Sequence, residues 1–175
     1  TIRPSDEIID RAYDYISSMW KLILSEVKAY NFVTEDRSDF AEKVKEARKP
    51  ESLNSLLFKP AAQEAFVKGI LTACEPQSVE EDPELTVQEA LQKSNKIKWS
   101  MNDPLWKNVI IKASGAIDGG AEGKRRMALL MSWLLLGSKM SDDKKFAVRK
   151  AFNEGHGIDI DANPDAAISL PPPLR

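Results

Sequence analysis

The stretch "KRRMALLMSWLLLG", residues 124–137, contains the longest apolar run of the sequence and predicts a buried helix. The run itself, residues 127–136, is too short to cross a bilayer, which takes about 20 apolar residues in a helix. Gly137 follows directly, and glycine is the residue that most often ends a helix. We therefore expect a core helix of a globular protein here rather than a membrane span.

A second apolar segment lies upstream, "SLLFKPAAQEAFVKGILTAC", residues 55–74. Residues 56–58 form an apolar anchor, and Pro60 stands where a first-turn proline is favoured, because its missing N–H would have no partner there. Small and apolar residues then follow at helical spacing: Ala61, Ala65, Phe66, Ile70 and Ala73. The small residues predict close packing against a neighbouring helix. Cys74 ends this helix and is predicted to be a small buried hydrophobe rather than a nucleophile.

The clearest amphipathic helix is predicted over residues 5–30. Ser5 provides an N-cap, and Asp6 and Glu7 lie in the first turn, where the helix dipole favours negative charge. Apolar residues follow at helical spacing: Ile9, Ala12, Tyr13, Ile16, Met19, Trp20, Ile23 and Val27. We assign this stripe, with its aromatic side chains, to the core rather than to a cofactor site.

Three shorter helices are also predicted. The first covers residues 39–49. Its inward-facing residues are Phe40, Val44 and Ala47. The second runs from a capping box, T-x-x-E at residues 86–89, to Lys93. The third runs from Ser141 to Gly155.

The fold class that follows is mainly α: a compact bundle of about six helices with at most one short strand or hairpin. The one strand predicted is "VIIKAS", residues 109–114, and the glycine-rich residues 115–123 predict a flexible loop. We expect residues 1–155 to form a single helical domain, as a fragment of a longer protein. Residues 156–175 are expected to be an extended tail, with Pro171–Pro173 in the polyproline conformation.

Composition and charge narrow the classes of protein. The 175 residues are 42% apolar and 30% charged, which is typical of a globular chain, and a single cysteine excludes a disulfide framework within the chain. With no signal peptide, we expect a cytoplasmic protein without a membrane span. The net charge is −2, yet residues 96–150 hold 12 Lys and Arg against 5 Asp and Glu, a net of +7. Such a segment can form a locally positive face.

Trp99 and Trp106 flank an Asn-Asp-Pro turn in "KIKWSMNDPLWKNVIIKAS", residues 96–114. Aromatic residues among lysines can stack on nucleic-acid bases, or they can pin a loop to a core. Pro104 sets a turn between the two rings, which allows them to lie on the same side. Two exposed indoles would leave a costly apolar patch. We therefore predict that both rings are buried and that the lysines face outward.

No complete catalytic or metal-binding motif is found. "GGAEGKRR", residues 119–126, departs from the Walker A motif at Asp118 and Arg125, where a glycine and a hydroxyl residue are required. "DIDANPD" departs from a calcium loop at Pro164 and Leu170. The single histidine has no second histidine or cysteine near it in sequence to share a zinc ion. One weaker interpretation stays open: a glycine loop before a basic helix N-terminus can hold a phosphate, although solvated surface cations are favoured.

Residues 96–110, "KIKWSMNDPLWKNVI", resemble the W-S-x-x-N-P-x-W element in the C-terminal part of DGQHR-domain proteins, which include the DndB component of bacterial DNA phosphorothioation systems. Residues 55–70 are similar to a leucine-phenylalanine-basic-proline segment upstream in that family, and "MWKLI" fits the stretch before it. The likeness covers residues 8–136 in the same order. The Asp-Gly-Gln-His-Arg signature, which belongs to the N-terminal half and its nucleotide-linked chemistry, does not occur in the chain, and residues 115–123 look like an insertion.

The resemblance implies the non-catalytic, helical C-terminal half of a DndB-like regulator of DNA modification, with any catalytic half N-terminal to it. The expected partners are DNA or other DNA-modification proteins, and no metal or cofactor is expected. The basic residues predicted to contact nucleic acid are Lys96, Lys98, Lys124, Arg125 and Arg126. The alternatives are a protein-interaction or oligomerisation module with no nucleic-acid role and, with no motif in its support, a small enzyme with a carboxylate site.

Overall fold

The helices predicted from the sequence are found in the computed structural model, which describes residues 3–34, 39–49, 52–76 and 82–175. The α-helices in these ranges are α1 (Asp6–Glu26), α2 (Asn31–Thr34), α3 (Phe40–Ala47), α4 (Pro60–Ala73), α5 (Val87–Ser94), α6 (Ala121–Leu136) and α7 (Asp142–Gly155). Within the described residues, strand pairing is limited to isolated bridges and builds no sheet. The predicted mainly α bundle is confirmed.

The centre of the bundle is the contact between α4 and α6, which is more extensive than that of any other pair of described helices. Gly69 of α4 makes the close approach possible, because a Cβ there would lie 2.9 Å from Met131 Cβ and 3.2 Å from the Ala128 carbonyl oxygen. The fully buried small residues on the same helix are Ala62, Ala65 and Ala73. α7 packs on α6 as well. The close packing predicted from the small residues of α4 is confirmed.

Three of the local signals that start and end helices are also confirmed, whereas Ser5 precedes α1 without a side-chain capping hydrogen bond. Pro60 is the first residue of α4. The capping box of α5 is complete: the amide of Glu89 donates to Thr86 Oγ1 at 3.2 Å, and the amide of Thr86 donates to Glu89 Oε2 at 2.8 Å. Gly137 ends α6 with φ +58°, in the left-handed region that favours glycine. Each of these signals acts within a few residues and needs no tertiary partner.

The apolar stripe of α1 departs from the prediction. Residues 6–16 are exposed around the whole helix, and Tyr13 is 71% exposed. Among the described residues, the contacts of α1 with the bundle are at the C-terminal end of the helix, where Ile23 and Val27 are buried. The assignment of the whole stripe to the core is therefore wrong, because the bundle covers only the last turns of α1. The helix also ends at Glu26, and a 3-10 turn follows before α2.

α3 shows the same effect on a smaller scale. Of its predicted inward-facing residues, Ala47 is buried, Val44 is half-buried and Phe40 is 51% exposed. The inward assignment is wrong for Phe40, which is the first residue of the helix.

Residues 109–114 do not form the predicted strand, although Ile111 makes an isolated antiparallel bridge with Ile117. The amides of residues 109–111 all donate to the carbonyl oxygen of Trp106, at 3.0 to 3.2 Å, as in a tight helical turn. Asn108 adopts φ +63°, which reverses the chain direction. Residues 109–111 are buried, so their apolar character reflects burial in a turn rather than an extended backbone.

The tail, residues 156–175, is held against the bundle by main-chain groups. The amide of Leu174 donates to the Leu134 carbonyl oxygen at 2.9 Å. The indole N–H of Trp133 donates to the Pro171 carbonyl oxygen at 2.8 Å. The tail thus supplies a donor to a carbonyl in the last turn of α6, which has no partner within the helix itself.

Candidate nucleic-acid interface

The two indoles of the segment 96–114 are buried and stacked on each other. The ring centroids of Trp99 and Trp106 are 5.2 Å apart with 14° between the ring planes, and the residues are 8% and 0% exposed. Phe66 of α4 meets Trp99 edge-on at 5.4 Å. Base stacking requires an open ring face, and neither ring has one. The prediction that these rings pin a loop to the core is confirmed.

Hydrogen bonds from the indoles fix the loop between them. Trp106 Nε1 donates to the Lys98 carbonyl oxygen at 2.7 Å, and Trp99 Nε1 donates to the Ser94 carbonyl oxygen of α5 at 3.3 Å. The amide of Leu56 donates to the Trp99 carbonyl oxygen at 2.7 Å. Because a buried indole N–H needs a partner, these bonds hold the loop in one position on the bundle.

Three lysines project from this loop, and we call Lys96, Lys98 and Lys107 the lysine edge. All three are exposed, which confirms that the lysines of the element face outward. The hydrogen bond from the Trp106 indole to the Lys98 carbonyl oxygen brings the two ends of the loop together. Lys107 directly follows Trp106, so its backbone lies close to that of Lys98. Lys96 and Lys98 were predicted from the sequence, but Lys107 was not, because the contact between Trp106 and Lys98 is a tertiary feature. The signal that could have identified Lys107 is its position directly after a tryptophan predicted to be buried.

Two lysines of the lysine edge, Lys98 and Lys107, have no acidic partner nearby in the described part of the chain. Among the residues that the structure describes, no carboxylate lies within ion-pair distance of Lys98 or Lys107. Lys96 Nζ donates to the backbone oxygen of Arg175 at 2.6 Å. Lys98 and Lys107 are therefore exposed cations on a rigid support.

The other predicted contacts, at the start of α6, are ion-paired within the chain. Lys124 Nζ lies 2.7 Å from Glu64, and Arg125 lies 2.8 Å from Glu122 and 2.9 Å from Glu154. Burial disfavours the charged form of Arg125, but the hydrogen bonds and charges of Glu122 and Glu154 outweigh burial and raise its pKa. Glu64, Glu122 and Glu154 thus neutralise the positive charges of Lys124 and Arg125 that would otherwise attract a phosphate.

Arg126 is largely buried, with 16% of its side chain exposed. Its guanidinium lies 2.7 Å from Asp118 Oδ2 and donates through Nε to the Val109 carbonyl oxygen at 3.0 Å. Asp118 Oδ1 also accepts from the amide of Gly120 at 3.3 Å, at the N-terminus of α6. The chain's own carboxylate thus lies beside the N-terminus of α6, where it pairs with Arg126. The interpretation of these cations as solvated surface is wrong for Arg126.

Gly123 shows why this end of α6 is rich in glycine. α6 begins at Ala121, so residues 121–123 belong to the helix, and the prediction of a flexible loop is wrong for them. A Cβ at Gly123 would lie 2.4 Å from the Asp118 backbone oxygen. Glycine is needed here for the close approach of the Asp118 turn, which positions the carboxylate that Arg126 binds.

The described residues contain no group of three or more His, Cys, Asp and Glu side chains placed to bind a metal ion. His156 Nδ1 lies 2.9 Å from the Phe152 carbonyl oxygen of the preceding turn, and the two rings are in contact, as in a structural histidine. Burial, with a smaller effect of Glu89, raises the pKa of the Cys74 thiol. A raised thiol pKa lowers the population of the nucleophilic thiolate.

Comparisons with known proteins found no relative of this chain. A scan against protein-family models found no match. Searches of curated proteins and of solved structures also found none. Across the ranges that the structure describes, no helix has the length and apolar character needed to cross a membrane.

Proposed function

We propose that this chain is a non-catalytic helical domain of a DndB-like regulator of DNA modification and that it binds DNA through the lysine edge. The observation that carries the proposal is that Lys98 and Lys107 are exposed and have no carboxylate partner among the described residues. The basic residues at the start of α6, in contrast, already have acidic partners. The sequence likeness over residues 8–136 supports the family, and the net charge of +7 over residues 96–150 supports an anionic partner.

The lysine edge has the properties of a phosphate-binding surface. Ammonium groups bind phosphates as point charges and read no base sequence. Each phosphate that is neutralised releases about one counterion, so the logarithm of the binding constant falls by roughly 0.9 per contact for each decade of salt. Three lysine contacts therefore predict a loss of roughly 40-fold between about 50 and 200 mM salt. The net charge of −6 over residues 1–95 favours weak binding rather than tight binding.

The test is fluorescence anisotropy of a labelled DNA duplex titrated with the protein at these two salt concentrations. Replacing all three residues of the lysine edge with alanine is expected to reduce binding at least tenfold and to flatten the salt dependence. The matched control removes three lysines from exposed ion pairs elsewhere: Lys139, Lys145 and Lys150. The control protein should bind DNA within about threefold of wild type, because each of these lysines already has an acidic partner.

Two results would contradict the proposal. The first is the absence of binding by the wild-type protein to any duplex at low salt. The second is an equal loss in both triple variants, which would assign the effect to net charge and not to the lysine edge. Circular dichroism of both variants checks that the helical fold is intact; none of the six substituted lysines is buried, so we expect unchanged spectra.

A further inference from the structure

The first three turns of α1 carry an apolar face that no described part of the chain covers. Residues 6–16 are exposed on every side of the helix. The exposed large apolar residues of α1 are Ile8, Ile9, Tyr13, Tyr15, Ile16, Trp20 and Leu24. Only the other end is anchored, where Ile23 and Val27 are buried and Glu26 accepts hydrogen bonds from two glutamines of α5. The helix therefore projects from the bundle.

Such a face is costly in a monomer. A helical segment of this length is marginal in water unless packing supports it. Tyr13 and Ile16, on one side of the helix, are 71% and 55% exposed. With Ile9 and Trp20 they form an apolar face of the size, roughly 300–600 Å², that is often functional on a monomer. We propose that it binds the same face of a second copy of this chain as an antiparallel helix pair, an inference that does not depend on DNA binding.

The spacing of the central residues fits this geometry. Ile9, Tyr13, Ile16 and Trp20 follow one another at intervals of four, three and four residues. Alternation of three and four is the pattern of helices that pack knobs into holes. Because the intervals read the same in both directions, an antiparallel copy places Ile9 against Trp20 at both ends of the seam and Tyr13 against Ile16 in its middle. A two-fold interface requires such self-complementarity.

The charges beside the seam favour the antiparallel orientation over the parallel one. Asp6 and Asp10 lie near the N-terminal end of α1, and Lys21 lies on the same flank near the other end, since 100° of rotation per residue separates Asp10 and Lys21 by about 20° around the helix. Parallel pairing would place the acids of one copy against the other flank of the second copy, beside Ile8 and Ala12 and away from Lys21. Antiparallel pairing places them beside Lys21 of the second copy, and it also aligns the two helix dipoles in opposite directions.

The available area is sufficient for a specific but moderate interface. If each copy covers roughly 600 Å² of its α1 face, the pair buries roughly 1,200 Å² in total, the lower end of the range for specific complexes. We therefore expect dimerisation with a dissociation constant on the order of 1 to 100 μM. The protein should be a monomer when dilute and a dimer when concentrated.

Sedimentation equilibrium of the full chain tests self-association directly. The molecular mass is expected to rise from 19.6 kDa toward twice that value as the concentration rises through the range on the order of 1 to 100 μM. The double variant Tyr13→Glu, Ile16→Glu should remain a monomer throughout, because it places charges in the middle of the seam. Both residues are exposed in the isolated chain, so the variant should fold normally by circular dichroism.

The matched control is Ser18→Glu, Ser25→Glu, which adds the same charge to the opposite side of α1, where both serines are exposed. This control should still form dimers. A wild-type chain that stays monomeric at the highest concentration would overturn the proposal, and so would a dimer that is unaffected by the glutamates at Tyr13 and Ile16.

Cysteine crosslinking tests the register, in a chain whose own Cys74 is replaced by serine. Mixed Ile9→Cys and Trp20→Cys chains should form a disulfide-linked heterodimer on mild oxidation. Ile9→Cys alone should form none, because in the antiparallel register the two copies of residue 9 are about 16 Å apart along the helix axis. Efficient crosslinking of Ile9→Cys alone would show parallel pairing and would overturn the antiparallel register.

Discussion

The contact of α4 with α6 and the first three turns of α1 are built from similar apolar residues in similar helical patterns, yet they have opposite environments. Phe66 and Met131 are fully buried between α4 and α6, whereas Tyr13 and Ile16 of α1 are 71% and 55% exposed. The α4–α6 contact exists because Gly69 allows two helix backbones to approach. Periodicity thus predicts which side of a helix is apolar, while the surface that covers this side depends on shape elsewhere in the chain.

The largest effect should come from Trp106, a fully buried tryptophan that stacks on Trp99. Trp106→Ala removes a fully buried ring, its stacking on Trp99 and its hydrogen bond to Lys98. We expect the free energy of unfolding to fall by about 3–5 kcal/mol. Urea unfolding followed by far-UV circular dichroism measures this change. If the free energy of unfolding falls by less than about 1 kcal/mol, the stacked tryptophans contribute little to stability. The proposed difference in stability between this buried region and exposed α1 would then be wrong.

Tyr30, which lies between the exposed part of α1 and the buried α4–α6 contact in sequence, should make the stability of the fold depend on pH. Tyr30 follows the anchored end of α1, is 3% exposed, and donates to the Leu57 carbonyl oxygen at 3.0 Å. Burial raises the pKa of the Tyr30 phenol to about 12, with a smaller opposing effect of a hydrogen bond with Gln63. The folded state therefore favours the neutral phenol. This contribution is complete below the unfolded pKa of about 10 and is lost as pH rises through about 12.

Near pH 11, one unit above the unfolded value, the loss due to Tyr30 should be about 1.4 kcal/mol. Tyr30→Phe lacks this titration, so its stability should decline less than that of the wild type between about pH 9 and 11. Urea unfolding of both proteins at the two pH values measures the difference. Other groups titrate equally in both chains, and parallel declines would rule out the assignment to Tyr30.

The substitution Gly69→Ala tests whether the backbones of α4 and α6 lie as close together as they do in the structure. Alanine favours a helix over glycine by about 1 kcal/mol, but overpacking a tight contact costs about 1–3 kcal/mol. Because a Cβ here would lie 2.9 Å from Met131 Cβ, we expect Gly69→Ala to lower the free energy of unfolding by about 1 kcal/mol net. Ser18→Ala on exposed α1 should instead raise it by a few tenths of a kcal/mol. Stabilisation by Gly69→Ala in thermal unfolding would refute the close approach.

The smallest effect is expected on α1 itself. Tyr13→Ala removes a ring that is 71% exposed, so at dilute concentration the free energy of unfolding should change by less than about 0.5 kcal/mol. The same urea experiment used for Trp106 measures it. A loss comparable to that of Trp106→Ala in the monomer would mean that α1 packs on the bundle, contrary to the difference described above.

The features that were predictable from the sequence are those that act over a few residues. The proline at the start of α4, the Thr86–Glu89 capping box and Gly137 each fix a helix boundary by local hydrogen bonding or backbone conformation. The burial of α1 and the conformation of residues 109–111 depend on contacts with distant elements. An apolar run is equally compatible with a strand and with a buried turn, so the prediction of a strand was wrong.

In the candidate interface, too, some features were predictable from the sequence and others depend on distant contacts. Exposure of Lys96 and Lys98 followed from the burial of the two tryptophans, which the cost of exposed indoles made predictable. Compensation of Lys124 by Glu64 did not follow, because 60 residues separate the pair in sequence. Nor did the placement of Lys107 next to Lys98, which is set by a single indole hydrogen bond.

The main-chain bonds of the tail have a consequence for the order in which the chain folds. The bond between Trp133 and Pro171 closes 38 residues, and the bond between Lys96 and Arg175 closes 79. Such distant closures cost loop entropy that only a preformed docking surface can offset. We therefore expect the tail to attach last during refolding, and the amide hydrogen of Leu174 should gain protection from exchange later than those in the middle of α6.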